Sequence, residues 1–379
     1  MPQTFDLIVV GAGPGGSNAA AAALDAGLNV AQIDRYPFPR VKPCAGGMTI
    51  KARKSLLIDV EPIVQRVFHS FEFNVFGTRI NQFTNPAPVL TMVVRPEFDN
   101  FLVEKNSVSK NFSFYDNERV THVEWDGEFS VRTDNRVLRS RQLVGADGAY
   151  GVVNRAFRVA SPKGFATAIE VNLEGHRQDL VPCFDFGVVP KGYGWVFPKD
   201  GHCSIGLYTL TRNLKDLRSR LRAYMHSKNL VNRDGLQTDA FQFPYGGYQL
   251  SCPQAPVYIV GDAGGFGDAI TGEGIYHALE SGRLAGKTAA EVAAGRGSHR
   301  SYYRRLWKSV LPDTFLTYQV SRGFYRDVNR AIRFFENLFV WRPFVQGYSE
   351  GATFTQCLLK GGWFLAKSSG LGLKRNTTL

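Results

Sequence analysis

Two hydrophobic periods alternate along this chain of 379 residues and lay out its elements. Phe5 to Val10 is an apolar, β-branched run of strand length, and an Ala-rich helical segment follows it to Ala26. Gly27 stands where such a helix stops, and a short strand from Asn29 to Ile33 ends at Asp34. Three prolines and two glycines make residues 35–47 a rigid loop, too irregular for either period. Residues 71–94 alternate loosely and predict strands, and Pro96 falls in the first turn of a helix opening at Arg95. Strands return over 119–146, with a hairpin at Asp126-Gly127. From 165 to 250 the pattern is mostly β, broken by a helical insert near Leu214 to His226. Val257 to Val260 is a buried-type strand, Gly274 to Ala294 is helical, and the remainder predicts aromatic-rich helices. This order implies an α/β protein whose first domain is interrupted. Residues 1–70, 93–160 and 251–295 form that domain, 71–92 and 161–250 a mainly β substrate domain, and 296–379 a helical C-terminal region.

The turn after the first strand reads Gly11-Ala12-Gly13-Pro14-Gly15-Gly16, a G-x-G-x-x-G spacing. Gly11 permits the tight turn, Gly13 lets backbone approach a pyrophosphate, and Gly16 lets helix pack against strand. The helix N terminus offers unpaired N–H groups and a positive dipole end to phosphates. Asp34 would accept hydrogen bonds from an adenosine ribose. Strand before, helix after and acid beyond lift the spacing above a chance run of glycines. A Rossmann-type dinucleotide site is expected.

Charge changes the picture at one end only. Of the net +12, residues 296–379 carry +10, with 14 Lys/Arg, 4 Asp/Glu and 16 aromatics that include Trp307, Trp341 and Trp363. Such a mixture suits an anionic membrane surface, an acidic protein partner, or simply a helical domain with a solvated basic face and an aromatic core. Nucleic acid is not expected. The five cysteines are scattered without a C-x-x-C pair, and the seven histidines show no metal spacing, so no metal site is expected. The first strand begins at residue 5, which leaves no room for a signal peptide, and no apolar run reaches 18 residues. A cytoplasmic protein is expected, with peripheral contact at the inner face of the membrane as its one membrane option.

Three glycine–acid turns, each after an apolar strand, occur in order: Gly11–Gly16, Gly145-Ala146-Asp147-Gly148 and Gly261-Asp262. With Arg95 and Asp99 at a helix start, they resemble the flavoprotein superfamily that includes para-hydroxybenzoate hydroxylase. Lys42-Pro43-Cys44-Ala45-Gly46-Gly47 resembles the P-C-x-G-G loop of its geranylgeranyl reductases. Tyr193-Gly194-Trp195-Val196-Phe197-Pro198 is similar to their Y-x-W-x-F-P substrate motif. The run Gly261 to Phe266, followed by Thr271-Gly272-Glu273-Gly274-Ile275, is also typical of them. The resemblance covers residues 1–295. One departure is Gly206-Leu207-Tyr208, where a bulky Tyr208 stands in place of a frequent glycine and would reshape a lipid tunnel.

The resemblance implies FAD as the dinucleotide, with Asp262 at its ribityl and pyrophosphate part. Arg35, Cys44, Ala45, Arg95, Asp99, Asp147, Gly272 and Gly274 join Gly11, Gly13, Gly16 and Asp34 as expected cofactor contacts. The helix start near Gly272–Gly274 would aim N–H groups at charge on a reduced flavin. Tyr193, Trp195 and Phe197 alternate along one strand and would line an apolar tunnel for a prenyl chain, with Tyr208 beside them. Cys44 is implied as a flavin-facing thiol, either a proton donor or a control on flavin orientation; its bland alternative is a small buried filler. The expected activity is saturation of C=C bonds in an isoprenoid lipid or diphosphate, with NADPH or a ferredoxin as electron donor. A flavin aromatic hydroxylase or halogenase of the same fold, or a membrane-docked flavin electron-transfer protein, are the rival readings.

Overall fold

The computed structural model describes residues 3–175, 179–230, 237–336 and 338–359. The strand Thr4–Val10 pairs in parallel with Val30–Ile33 on one side and Val137–Gly145 on the other. Phe112–Tyr115 adds a further parallel strand beyond Val30–Ile33. Val137–Gly145 is long enough for two partners on one edge. Its first half pairs antiparallel with Phe129–Thr133, and its end pairs in parallel with Val257–Ile259. Leu7, Ile8, Val9, Val30 and Val144 are wholly buried, as a parallel sheet covered on both faces demands.

The helix Pro14–Asp25 begins with Pro at its first turn and crosses the helix Ile275–Ala293 very closely. A Cβ added to Gly282 would stand 2.1 Å from the Gly15 carbonyl oxygen, so only small residues permit this crossing. The contact brings the end of the chain's first βα turn and the start of the Ile275–Ala293 helix to one crevice.

A second sheet of seven strands runs in the order Asp239–Tyr245, Gly164–Glu174, His202–Thr209, Gly192–Pro198, Cys183–Phe186, Ser70–Val75, Thr78–Thr84. It is antiparallel except where Cys183–Phe186 meets Ser70–Val75. Strand alternation sorts its two faces. Tyr193, Trp195, Phe197 and Tyr208 enter one core, whereas Val196, Ile205 and Leu207 enter another beneath the helix Leu217–Ser227.

Among the described residues the tail is helical as expected, over Arg300–Ser309, Leu311–Phe324, Val328–Glu336 and Leu338–Ser349, while 360–379 lie outside them. Its first helix is tied to the parallel sheet: the Tyr302 and Tyr303 hydroxyls donate to the Ile259 and Val257 carbonyls at 2.6 and 2.7 Å. Phe324, Tyr325, Ile332 and Phe354 then join the core of Tyr193 and Trp195. Trp307 is exposed; the side chain of Trp341, and Trp363 altogether, lie outside the described residues. Among the described residues no helix is long and apolar enough to cross a membrane.

Candidate active site

The glycine turn is closed by its own geometry. Gly11 has φ +105°, and a Cβ on Gly16 would stand 2.0 Å from the Gly11 carbonyl oxygen. Gly13 differs, because a Cβ there would meet no backbone. Its nearest neighbours would be Nη2 of Arg40 at 3.6 Å and Nη2 of Arg95 at 4.0 Å. The first helical turn thus faces open space rimmed by two guanidiniums. Arg95 forms a bidentate pair with Asp99 at 3.0 and 2.8 Å, and Arg40 approaches the same carboxylate at 3.2 Å. Burial works against the Arg95 charge, but Asp99 and Cys44 outweigh it and hold its pKa above the ordinary arginine value. Arg40 Nε is buried without a hydrogen-bond partner, 3.6 Å from Asp34. A buried donor beside a helix N terminus is what a phosphate would satisfy. These residues fit the pyrophosphate of FAD.

Asp34 lies behind this space. Its carboxylate accepts the Ala12 N–H at 2.8 Å and the Tyr36 N–H at 3.1 Å. Arg35 is exposed, with its guanidinium over the Tyr36 ring at 4.9 Å. Asp262 lines the crevice and faces Lys42 at 3.4 Å. Asp147 is engaged elsewhere: its carboxylate accepts the Val153 N–H at 3.0 Å at the start of the helix Val152–Phe157. Burial pushes its pKa up to about 6, against the N–H groups that favour the anion.

The loop carrying Cys44 packs on the substrate-side sheet. The Cys44 N–H donates to Glu170 at 2.6 Å, and a Cβ on Gly47 would stand 2.6 Å from the Phe197 ring. Trp195 packs against Gly206, where a Cβ would come within 2.2 Å of the indole. The glycine of Gly206-Leu207-Tyr208 therefore makes room for Trp195, while Tyr208 packs between Tyr193 at 5.1 Å and Phe243 at 5.6 Å.

On the opposite side, residues 268–274 form a loop held by tyrosines. Tyr193 donates to Thr271 O, Tyr208 to Ala269 O at 3.1 Å and Tyr325 to Ile270 O at 2.6 Å. Asp268 Oδ1 accepts the N–H groups of Ile270 and Thr271 at 2.7 and 2.8 Å. Gly272 takes φ +69°, and the long helix starts after Gly274.

One cavity of about 320 Å³ joins these parts. It runs from Gly13 and Asp262 past Cys44, Ala45, Arg95, Gly272 and Gly274, then between Tyr193, Trp195, Phe197 and Tyr208. Phe324, Phe344, Val345 and Phe354 close its far side. Sequence reasoning did not single out Arg40, Glu170 or this C-terminal wall. The basic run Arg35 to Lys42 was the signal available for Arg40; Glu170 carried none, because its neighbours come from two other strands and the distant loop of Cys44.

No family model matches the chain. It is 33% identical over 363 residues to an uncharacterized protein of Methanosarcina barkeri, covering 94% of this chain and 93% of that one. It is 29% identical over 353 residues to a menaquinone reductase of Mycobacterium tuberculosis, covering 85% and 82%. It is 26% identical over 337 residues to a digeranylgeranylglycerophospholipid reductase of Methanopyrus kandleri, covering 82% and 88%. Among solved structures it is similar to a geranylgeranyl bacteriochlorophyll reductase-like protein of Thermoplasma acidophilum, with a TM-score of 0.77 at 17% identity over 98% of this chain and all of that one. The flavin-dependent brominase Bmp2 shares the fold at a TM-score of 0.73 and 17% identity, covering 97% and 99%.

Proposed function

The chain belongs to the geranylgeranyl reductase family of FAD-dependent oxidoreductases, and on that premise we propose that it saturates C=C bonds of a geranylgeranyl-type isoprenoid chain carried on a lipid or a diphosphate. The observation that carries this reading is the single cavity that leads from the Gly13 turn past Cys44 into an aromatic, largely apolar wall. Curated relatives named for reducing a menaquinone and a digeranylgeranyl lipid support it.

FAD, when bound and reduced, supplies the hydride that an isolated double bond requires. Gly11, Gly13 and Gly16, with Arg40 and Arg95, would hold its pyrophosphate, Asp34 its ribose and Asp262 its ribityl part. The N–H groups after Gly272 and Gly274 would stabilise negative charge on the ring system. Tyr193, Trp195, Phe197 and Tyr208 would align the chain and exclude water from it. Each saturation also needs a proton, which the Cys44 thiol, among the groups that line the cavity, would supply. Arg95 is the guanidinium whose charge the Cys44 sulfur supports. NADPH or a ferredoxin would reduce the flavin.

The test is anaerobic. The flavin is prereduced, geranylgeranyl phospholipid or geranylgeranyl diphosphate is added, and reoxidation is followed alongside product mass. Two hydrogens gained per flavin oxidised are expected. Reoxidation by oxygen alone, with every prenyl compound unchanged, would instead favour the hydroxylase, halogenase or electron-transfer reading.

A further inference from the structure

Glu170 lies in the strand Gly164–Glu174 and is 4% exposed. A carboxylate taken this far from water requires donors on both oxygens. One donor is the Cys44 N–H on Oε1 at 2.6 Å. The other is the Ser204 hydroxyl on Oε2 at 3.1 Å, and Ser204 in turn accepts the Trp195 indole N–H at 3.1 Å. These bonds make an unbroken line from the tunnel wall to the thiol-bearing loop: Trp195, Ser204, Glu170, Cys44.

The surroundings hold that line under constraint. Lys199, 4% exposed, has its Cε 3.1 Å from the Cβ position of Gly46 in the same loop. Burial lowers the Lys199 pKa, against the pull of Glu170. Burial raises the Glu170 pKa, with Lys199 acting against it and Asp239, its register partner on the neighbouring strand, adding to it. Phe197 fills the space over Gly47. Such a loop can shift only if its Glu170 anchor shifts with it.

We infer that Glu170 is a positioning residue that couples Trp195 to Cys44, so that the state of the tunnel wall is felt at the thiol. The coupling rests on reading Trp195 as tunnel wall and Cys44 as the flavin-facing thiol. Its test needs no turnover, so failure of that reading and failure of the coupling are separable.

The experiment measures the rate at which iodoacetamide alkylates Cys44 in the full-length protein as purified, resolved by peptide mass spectrometry. Glu170→Ala removes the anchor and should speed alkylation about fivefold, the equivalent of one lost buried hydrogen bond. Glu170→Gln keeps an acceptor for the Cys44 N–H and should restore most of the wild-type rate. Ser204→Ala and Trp195→Phe each break one link further along and should act in the same direction, more weakly. The double variant Ser204→Ala/Trp195→Phe should react no faster than the quicker single variant, because both break the same line. Additive effects, or a Trp195→Phe rate equal to wild type, overturn the coupling. If Glu170→Ala does not fold, the Ser204 and Trp195 cycle decides alone by the same outcomes.

Discussion

Lys51 and Glu273 form a buried ion pair, Nζ to Oε2 at 2.8 Å, and Tyr348 of the helix Leu338–Ser349 donates to that same oxygen at 3.0 Å. Thr49 donates to the other oxygen at 2.5 Å. The pair joins the helix Ile50–Ser55, the loop before Ile275–Ala293 and the C-terminal wall of the cavity. Removing one partner strands the other charge in a dry site, which costs about 3–5 kcal/mol. Lys51→Met should therefore lower the urea midpoint strongly, and adding Glu273→Gln should recover much of the loss. Burial alone would raise the Glu273 pKa, but Lys51, His277 and the hydrogen bonds outweigh it and hold it below 4.5. A depressed carboxyl pKa contributes stability above the ordinary value and loses it as pH falls through the folded one. Wild type should lose this contribution below pH 4.5, and Lys51→Met should lack that part of the acid limb.

In the proposed flavin site Arg40 is the second guanidinium beside Arg95. Arg40→Ala should weaken FAD binding to the apoprotein by about tenfold, the scale of a charge-assisted hydrogen bond. Gly13→Val should do more, because its side chain would occupy the space that faces both arginines. Titration of apoprotein with FAD, followed by flavin fluorescence, measures both. Undiminished affinity in Gly13→Val would move the pyrophosphate elsewhere.

Asp147 makes stability depend on pH in the opposite sense to Glu273. Its folded pKa of about 6 lies above the ordinary 3.8, so the ionised form is disfavoured in the fold. Stability from this group is full below the ordinary value and falls as pH rises through about 6. Asp147→Asn keeps an acceptor for Val153 and removes the charge. It should raise stability at pH 7 by up to about 3 kcal/mol and have little effect in acid. Denaturant curves at the two pH values check the sign.

What was legible in the sequence was local. Gly11–Gly16, the strand holding Tyr193, Trp195 and Phe197, and the helix after Gly274 each announce themselves within a dozen residues, because turn sterics and strand period act at that range. Glu170 was not legible. It is one acid in a β stretch, and its meaning depends on the register that sets it opposite Gly206 and Asp239 and beneath Cys44. Asp147 was legible as part of a glycine–acid turn, but not in its direction, which the helix Val152–Phe157 decides. The C-terminal aromatics left a membrane-facing surface and an aromatic core both open. Phe324 and Phe354 line the cavity, a contact that spans more than a hundred residues of chain from Tyr193.

The basic excess of residues 296–379 still predicts a surface property. With +10 in that segment and Trp307 exposed, the full-length protein should bind vesicles containing phosphatidylserine. Each basic residue near such a surface adds about 1 kcal/mol at low salt, so a handful gives measurable binding. Cosedimentation should weaken as salt is raised. Equal binding to phosphatidylcholine vesicles would remove the electrostatic part of the idea.

Tyr208 has two jobs that two substitutions can separate. Its buried ring narrows the cavity between Tyr193 and Phe243, and its hydroxyl pins the loop at Ala269 O. Tyr208→Phe keeps the ring and removes one of the three tyrosine bonds that hold the loop, at a cost of about 1 kcal/mol in stability. It should leave the preference among prenyl chain lengths unchanged and slow turnover modestly. Tyr208→Leu gives up both, and the lost ring volume widens the cavity between Tyr193 and Phe243. That variant should accept longer prenyl chains, or saturate further double bonds of the same chain, while retaining its flavin. Product mass spectra from a series of prenyl diphosphates, read beside the absorbance of bound flavin, distinguish the two. If Tyr208→Leu keeps the wild-type chain-length profile, the ring does not bound the tunnel. If Tyr208→Phe shifts the profile as far as Tyr208→Leu, the loop at Ala269 sets the chain length and the ring only fills space.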